Sequence, residues 1–318
     1  MIAVPFVMSD YYVGESAWVF IYGICGVSLM VLVGYTGLVS LGHAAFLGIG
    51  AYAHAYFLQH GVPWVVSVAL AVAITTVCGF IVGLPALRMT GIYLAIATLA
   101  GQLIIEWTIN HVPAISGGAQ ASIQVPRPSL FGRSLATQSE LYFFLLFFAV
   151  LAIVATLNIA RSRIGRAFVA VRDQDIAAEI IGIDIFRYKL LAFAISSFYA
   201  GVCGVLYTYY FGIANYEQFQ LIVSIDYLAM IIIGGLGSVL GSIFGAVFVT
   251  ILPIILRTIL ESAGSLFFTD SELANVISGT RLAVFGALII VFLIVEPEGL
   301  NRLWRNIRSY FRVWPFSY

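Results

Sequence analysis

"LIVSIDYLAMIIIGGLGSVLGSIFGAVFVTILPIILR", Leu221–Arg257, reads in two ways. It is one long helix broken at "GGLGSVLG", or two helices joined by a tight turn there. A bilayer-spanning helix needs about 20 mostly apolar residues, and more if it is inclined. The choice decides the side of a membrane on which the rest of the chain lies, and charge decides the choice. Six basic residues (Arg161, Arg163, Arg166, Arg172, Arg187 and Lys189) cluster before the run, and four more (Arg302, Arg305, Arg308 and Arg312) follow it. Basic segments stay on the cytoplasmic side, so an even number of crossings must separate the two clusters. Two spans with a turn at the glycines satisfy this, whereas one span would leave four arginines outside.

Composition supports a membrane reading for the whole chain. Hydrophobic residues make up 62% of it, and 15 basic and 15 acidic residues balance to zero net charge over 318 positions. One soluble core cannot bury so much apolar surface, and the zero charge gives no footprint for nucleic acid. Cys25, Cys78 and Cys203 each lie in an apolar run, which predicts buried free thiols, not a disulfide or metal site. The start, "MIAVPFVMSDYY", lacks the basic region and cleavage site of a signal peptide.

Nine spans are expected, near 17–35, 43–59, 64–86, 91–110, 141–158, 190–211, 221–236, 239–257 and 280–296. The apolar runs are continuous and do not alternate, so they are helices and not barrel strands. The predicted fold is an all-α polytopic transmembrane helical bundle forming a single domain over 1–318. A charged loop at 159–189 and a tail at 297–318 fall inside. A loop at 111–140 falls outside.

Thirty glycines need a packing reason, because lipid gives helices little hydrophobic drive to associate. Gly237, Gly241 and Gly245 make a double GxxxG spacing that predicts a tight helix crossing, and Gly79 and Gly83 make another. The stretch "GYTGLVSLGHAAFLGIGAY", Gly34–Tyr52, is different. It carries Gly37, Ser40, Gly42, His43, Gly48 and Gly50, and it reads as a segment that unwinds along a translocation path or as a turn at 36–42 between packed helices. The two readings are compatible. Irregular backbone at membrane depth needs protein or water to cover it.

The chain has no phosphate-binding loop of its own. Its only lysine, Lys189, is followed by leucine, whereas the motif Gly-x-x-x-x-Gly-Lys-Ser/Thr uses a lysine to reach the phosphates. Nor does a central pair of ionisable residues suggest ion coupling. Glu106, Asp226, Glu296, His43 and His54 all read as boundary or packing residues. No cofactor is expected, and no metal or hydrolase spacing points to an enzyme.

Another answer to the source of energy is offered by "RSRIGRAFVAVRDQDIAAEIIGID", Arg161–Asp184, where eight charged residues crowd between apolar runs. Over 164–172, Ile164, Phe168 and Val171 share one helical face and the arginines take the others. A second short helix begins at Asp173 or Asp175 and ends at Gly182. Arginines alone would fit an anionic lipid surface. The interleaved Asp173, Asp175 and Glu179 would be repelled by one, which favours a protein partner.

These segments resemble the LivM-type permease subunit of branched-chain amino-acid ABC importers over nearly the whole chain. "GYTGLVSLGHAAFLGIGAY" is similar to the family's GyaGqlSlGhaaFfgiGAY. The island is similar to SpfGRalrAiReneiaAealGi, "YKLLAFAISSFYAGVCGVLY" matches the helix after it, and "GGLGSVLGSIFGAVFV" is similar to GGlGtllGpvlGA. The resemblance implies a non-catalytic subunit of a bacterial inner-membrane importer. Its partners would be a homologous second permease subunit, two cytoplasmic ATPase subunits and a periplasmic substrate-binding protein, with lipid around them. The island would be the coupling loop, with Gly165, Arg166, Ala178, Glu179 and Gly182 at motif positions and Arg172 and Asp175 among them. The outer loop at Ser116–Gly118 and Pro126–Gly132 would face the binding protein. Two departures stand out. Family members usually carry a further hydrophobic segment where only "IAVPFVM" is found here, and the outer loop reads "SGGAQAS" where many members have Asp-Gly. The substrate class therefore stays open between branched-chain amino acids and amides such as urea or other amino acids. A lone secondary carrier is the alternative mechanism.

Overall fold

The structure, a computed structural model, describes residues 9–89, 91–117, 122–130, 133–135, 137–264 and 299–313, with isolated positions at 5 and between 283 and 294. It is an all-α bundle. Helix α1 is Asp10–Leu29 and continues as a π-helix, Met30–Tyr35. It is followed by α2 His43–Gln59, α3 Trp64–Ala86, α4 Ile92–His111 and the single turn α5 Pro113–Ser116. Helix α6 is Gln138–Arg161, α7 Arg163–Asp173, α8 Asp175–Ile180 and α9 Ile185–Phe211. Then come α10 Leu221–Gly234, α11 Val239–Gly264 and α12 Leu300–Val313. The expected span at 280–296 lies outside the described residues apart from isolated helical positions.

Five of these are long and apolar enough to cross a bilayer: Asp10–Tyr35, α3, α4, α6 and α9; α10 and the apolar part of α11 are shorter. Three helices begin earlier than the apolar runs predict, because capping and not hydropathy sets a helix start. Helix α1 begins at Asp10, whose carboxylate sits in the positive first turn. Helix α6 begins at Gln138 behind a capping box in which Thr137 and Glu140 satisfy each other's backbone N–H groups. Helix α9 begins at Ile185, capped by Asp184, which accepts from the Arg187 N–H at 3.0 Å.

The first helix, with its π-helical end, and α9 form the centre: 83% and 72% of their apolar stretches are buried, against 28% for each of α3, α4 and α6. The latter three form the outer ring. Short strands Ser122–Gln124 and Ile213–Asn215 pair antiparallel, tying the α5–α6 connection to the end of α9. Both strands lie at the far end of the bundle. The opposite end, which carries α7 and α8, is called the island end below.

Small residues let the central helices touch. A Cβ on Gly50 of α2 would lie 2.7 Å from the carbonyl oxygen of Gly201 in α9, and one on Gly204 would strike the Leu47 carbonyl. Gly79 and Gly83 of α3 face Ser197 and Phe193 of α9, so that GxxxG pair does form a packing face. Helices α10 and α11 meet the same way: Gly241 sits against the carbonyls of Gly234 and Gly235, and Gly245 against that of Met230. Gly237 does not share this face. It lies in the turn before α11 with φ +79°, because the reversal there needs left-handed backbone that glycine adopts without strain.

Candidate functional site

The island folds as two short helices. Ser162 caps α7, accepting from Ile164 N–H at 3.1 Å and Gly165 N–H at 3.4 Å. Gly165 is buried in the bend: a Cβ there would lie 2.5 Å from the Ala160 carbonyl oxygen and 2.7 Å from its Cα. The apolar face turns inward, with Phe168 and Val171 buried and Ile164 half-buried. Helix α8 ends in a Schellman motif, in which Ile183 N–H reaches the Ala178 carbonyl and Gly182 N–H the Glu179 carbonyl, each at 2.9 Å. Gly182 takes φ +89°, the left-handed conformation this stop requires.

The seven island residues singled out from the sequence separate into three groups. Gly165, Ala178 and Gly182 shape the backbone. Arg166, Asp175 and Glu179 are exposed. Arg172 turns back toward the bundle. Sequence reasoning missed the apolar part of the outward face: Ile176, Ile180 and Ile181 are 73%, 81% and 74% exposed. Ile176 and Ile180 stand one turn apart on α8, beside Asp175 and Glu179. Three isoleucines within a charged segment were the sequence signal for this patch.

Arg172 joins the island to the bundle. Its Nη1 donates to the Gly34 carbonyl at 2.7 Å, and its Nε donates to Asp173 at 2.9 Å. The Gly34 carbonyl is open because the chain leaves regular α-helix there. Leu38 N–H, which would close an α-turn onto Gly34, bonds to Leu32 instead at 3.2 Å. Gly37 and Gly237, both with positive φ, line the guanidinium's seat. Their Cβ atoms would lie 3.1 Å from Arg172 Cγ and 3.2 Å from Nη1. A polar cleft of about 240 Å³ opens beside it, lined by Thr36, Gly37, Arg172, Asp173, Asp175 and Lys189.

The irregular stretch Gly37–Gly42 is covered by protein in part: Leu38, Ser40 and Gly42 are buried, whereas Gly37 and Val39 are exposed. Leu41 N–H donates to Thr98 at 3.0 Å, and Gly42 packs on the Thr98 carbonyl. Gly42 thus sits level with Thr98, roughly 9 Å along α4 from its island end at 1.5 Å per residue. Helix α2 therefore starts within the bundle, and its first N–H groups need buried partners. Ala44 donates to Ser224 at 2.8 Å and Ala45 to Gln102 at 2.8 Å. Gln102 also accepts from Ser224 at 3.2 Å and donates to the Phe219 carbonyl at 2.7 Å. Buried Ser40 accepts from Gly42 N–H at 3.3 Å. His43 is buried with no partner on either ring nitrogen and meets Tyr227 edge-on at 6.5 Å. Gly48 faces Phe219 and Ile109, and Gly50 faces Gly201. The roles of Gln102 and Ser224 escaped sequence reasoning; an amide midway along an apolar span was the only hint.

The chain matches the family model described as branched-chain amino acid transport system / permease component over residues 12–293. It is 30% identical to the high-affinity branched-chain amino acid transport system permease protein LivM of Salmonella typhimurium, over 96% of this chain and 73% of that one. The LivM protein of Escherichia coli K12 matches to the same identity and coverage. The permease protein LivH of the same system in E. coli K12 is 27% identical over 54% of this chain and 49% of its own length. No solved structure matches.

Proposed function

This chain belongs to the family of branched-chain amino acid transport permease components, and from that membership we propose that it is one membrane-spanning subunit of an ATP-driven importer of leucine, isoleucine and valine. Its partner in the membrane is a homologous permease subunit, which the likeness to both LivM and LivH supports. Two cytoplasmic ATPase subunits supply the energy, since the chain has no phosphate-binding loop. A periplasmic binding protein delivers the substrate to the far end. The island end and the C-terminal helix then face the cytoplasm of a bacterial inner membrane, as the arginine bias requires.

The observation that carries this reading is the outward face of α8. Ile176, Ile180 and Ile181 are exposed beside Asp175 and Glu179, on a helix tied to the bundle through α7. An apolar patch rimmed by acids suits a protein cleft better than water or anionic lipid. Inserted into a cleft on the ATPase, α8 would follow the closing of the ATPase pair on ATP. The permease then acts as a two-state element biased by ATP on one side and by the loaded binding protein on the other.

The test is uptake of labelled leucine in cells that lack their own importer. The chain is expressed with its second permease, ATPase and binding-protein subunits, and then with the ATPase withheld. Uptake that disappears with the ATPase is the expected result. Uptake by the chain alone would overturn the reading in favour of a secondary carrier. An intact complex that takes up urea but not leucine would reassign the substrate.

A further inference from the structure

Three elements of the bundle meet at one arginine at the island end, and a fourth packs behind them. Arg172 is in the last turn of α7. Its Nη1 reaches the Gly34 carbonyl at the π-helical end of the first helix. The same nitrogen lies against Gly237, in the turn that joins α10 to α11. Gly34 in turn contacts that turn directly: a Cβ on it would lie 2.6 Å from Gly237 N. Gly299, at the start of α12, abuts Gly235 of the same turn, with a Cβ–Cα approach of 2.7 Å.

We infer that Arg172 is the positioning residue through which displacement of α7 and α8 reaches the membrane helices. The inference rests on the reading of this chain as an ATP-driven permease. The contacts of Phe168 and Val171 are apolar and non-directional, so they tolerate sliding, and the bond from Arg166 Nη1 to the Arg161 carbonyl stays within the α6–α7 bend. The arginine bond is different. It is charge-assisted, and its direction is set by the planar guanidinium. Asp173 holds one edge of the fork, at 2.8 Å from Nη2 and 2.9 Å from Nε, leaving Nη1 aimed at Gly34. Its acceptor also sits at a weak point. Gly34 lies in the last turn of the helix, where carbonyls have no intrahelical partner, and the π-helical stretch Met30–Tyr35 at that end is a geometry frequent at functional sites. Movement of α7 therefore pulls on the end of the most buried helix and on the joint of the α10–α11 pair together.

The experiment uses the full complex with its ATPase and binding-protein subunits, reconstituted in proteoliposomes, and reads ATP hydrolysed per leucine transported. The variants are Arg172→Lys, Arg172→Ala and Gly237→Ala. Lysine keeps the charge but cannot hold Asp173 and Gly34 with one planar fork. The Gly237 variant leaves Arg172 in place and crowds its seat. We expect each complex to assemble and to hydrolyse ATP within about twofold of wild type, with the ATP consumed per leucine rising roughly tenfold, the scale set by one charge-assisted hydrogen bond. An unchanged ratio in all three variants would overturn the inference, and so would hydrolysis and uptake falling in the same proportion, which marks a purely structural role. Failure of the wild-type complex to couple uptake to ATP would instead sink the permease reading itself.

Discussion

Gly50 of α2 and Gly201 of α9 place two helix backbones in direct contact. A Cβ on Gly50 would lie 2.7 Å from the Gly201 carbonyl oxygen and 2.8 Å from its Cα. Gly48, one turn-half away on the same helix, meets only side chains, with Phe219 Cβ at 3.2 Å and Ile109 Cδ1 at 3.3 Å. Backbone cannot yield without moving a helix, whereas a side chain can rotate. Gly50→Ala should therefore destabilise the purified protein by about 1–3 kcal/mol, and Gly48→Ala by less than about 1 kcal/mol. Thermal unfolding in detergent compares them, and equal losses would show that α2 does not rest on α9 through Gly50.

Gln102 satisfies three buried groups at once: Ala45 N–H, the Ser224 hydroxyl and the Phe219 carbonyl. Gln102→Leu keeps the volume and strands at least the first N–H and the carbonyl. Each orphan costs about 1–3 kcal/mol in a site without water. The expected outcome is a loss of at least about 2 kcal/mol, while Gln102→Glu retains an acceptor for Ala45 and loses the donor to Phe219. Unfolding at wild-type temperature for Gln102→Leu would show that water replaces the amide.

Ile180 is 81% exposed and touches little of its own chain. Ile180→Asp should leave folding within about 0.5 kcal/mol of wild type, as expected of a surface substitution. The proposed docking predicts a loss of at least about tenfold in affinity for the ATPase, because a charge would enter an apolar contact. Co-purification measured against ATPase concentration reads this directly. Undiminished capture would remove Ile180 from the interface.

Glu179 stands beside Ile180 on the exposed face of α8. Glu179→Arg reverses a charge without disturbing the Schellman stop, which uses the Glu179 carbonyl and not its side chain. Normal insertion with uptake lowered about fivefold or more is expected, the scale of a lost charge pair at an interface. Wild-type uptake at equal expression would rule out a coupling role for this carboxylate.

Gly182 takes φ +89° with open space around its missing side chain. Gly182→Ala therefore meets no clash, and its cost is backbone strain alone, about 1 kcal/mol. Because α8 is only a short helix, this loosens the outward face more than the bundle. Hydrogen exchange should rise over 175–183 and stay unchanged in α9. Uniform exchange across both would place the strain elsewhere.

Local chemistry was legible in the sequence. The apolar runs located α2, α3 and α4 to within a residue or so, and the spacing of Ile164, Phe168 and Val171 gave the inward face of α7. Gly182 marked the stop of α8, and the tight turn expected at the glycines of Leu221–Arg257 is the reversal that packs Gly241 on Gly234 and Gly245 on Met230. Each of these depends on neighbours within a few positions, where helical periodicity and capping act.

Which helices form the centre was decided by tertiary structure alone. The central pair have mean hydropathies of 2.1 and 1.8, and the outer three 2.6, 1.6 and 2.6, so hydropathy does not sort them. Lipid tails and protein interior are equally apolar, and a helix pays no different hydrophobic cost in either. The direction of Arg172 was likewise hidden. In sequence it is one arginine of a charged island; in the fold it faces Gly34, 138 positions away, because that carbonyl, in the last turn of the first helix, has no partner within the helix. Gly237 shares its spacing with Gly241 and Gly245 but serves a turn, since a glycine repeat records where backbone can approach and not which backbone arrives.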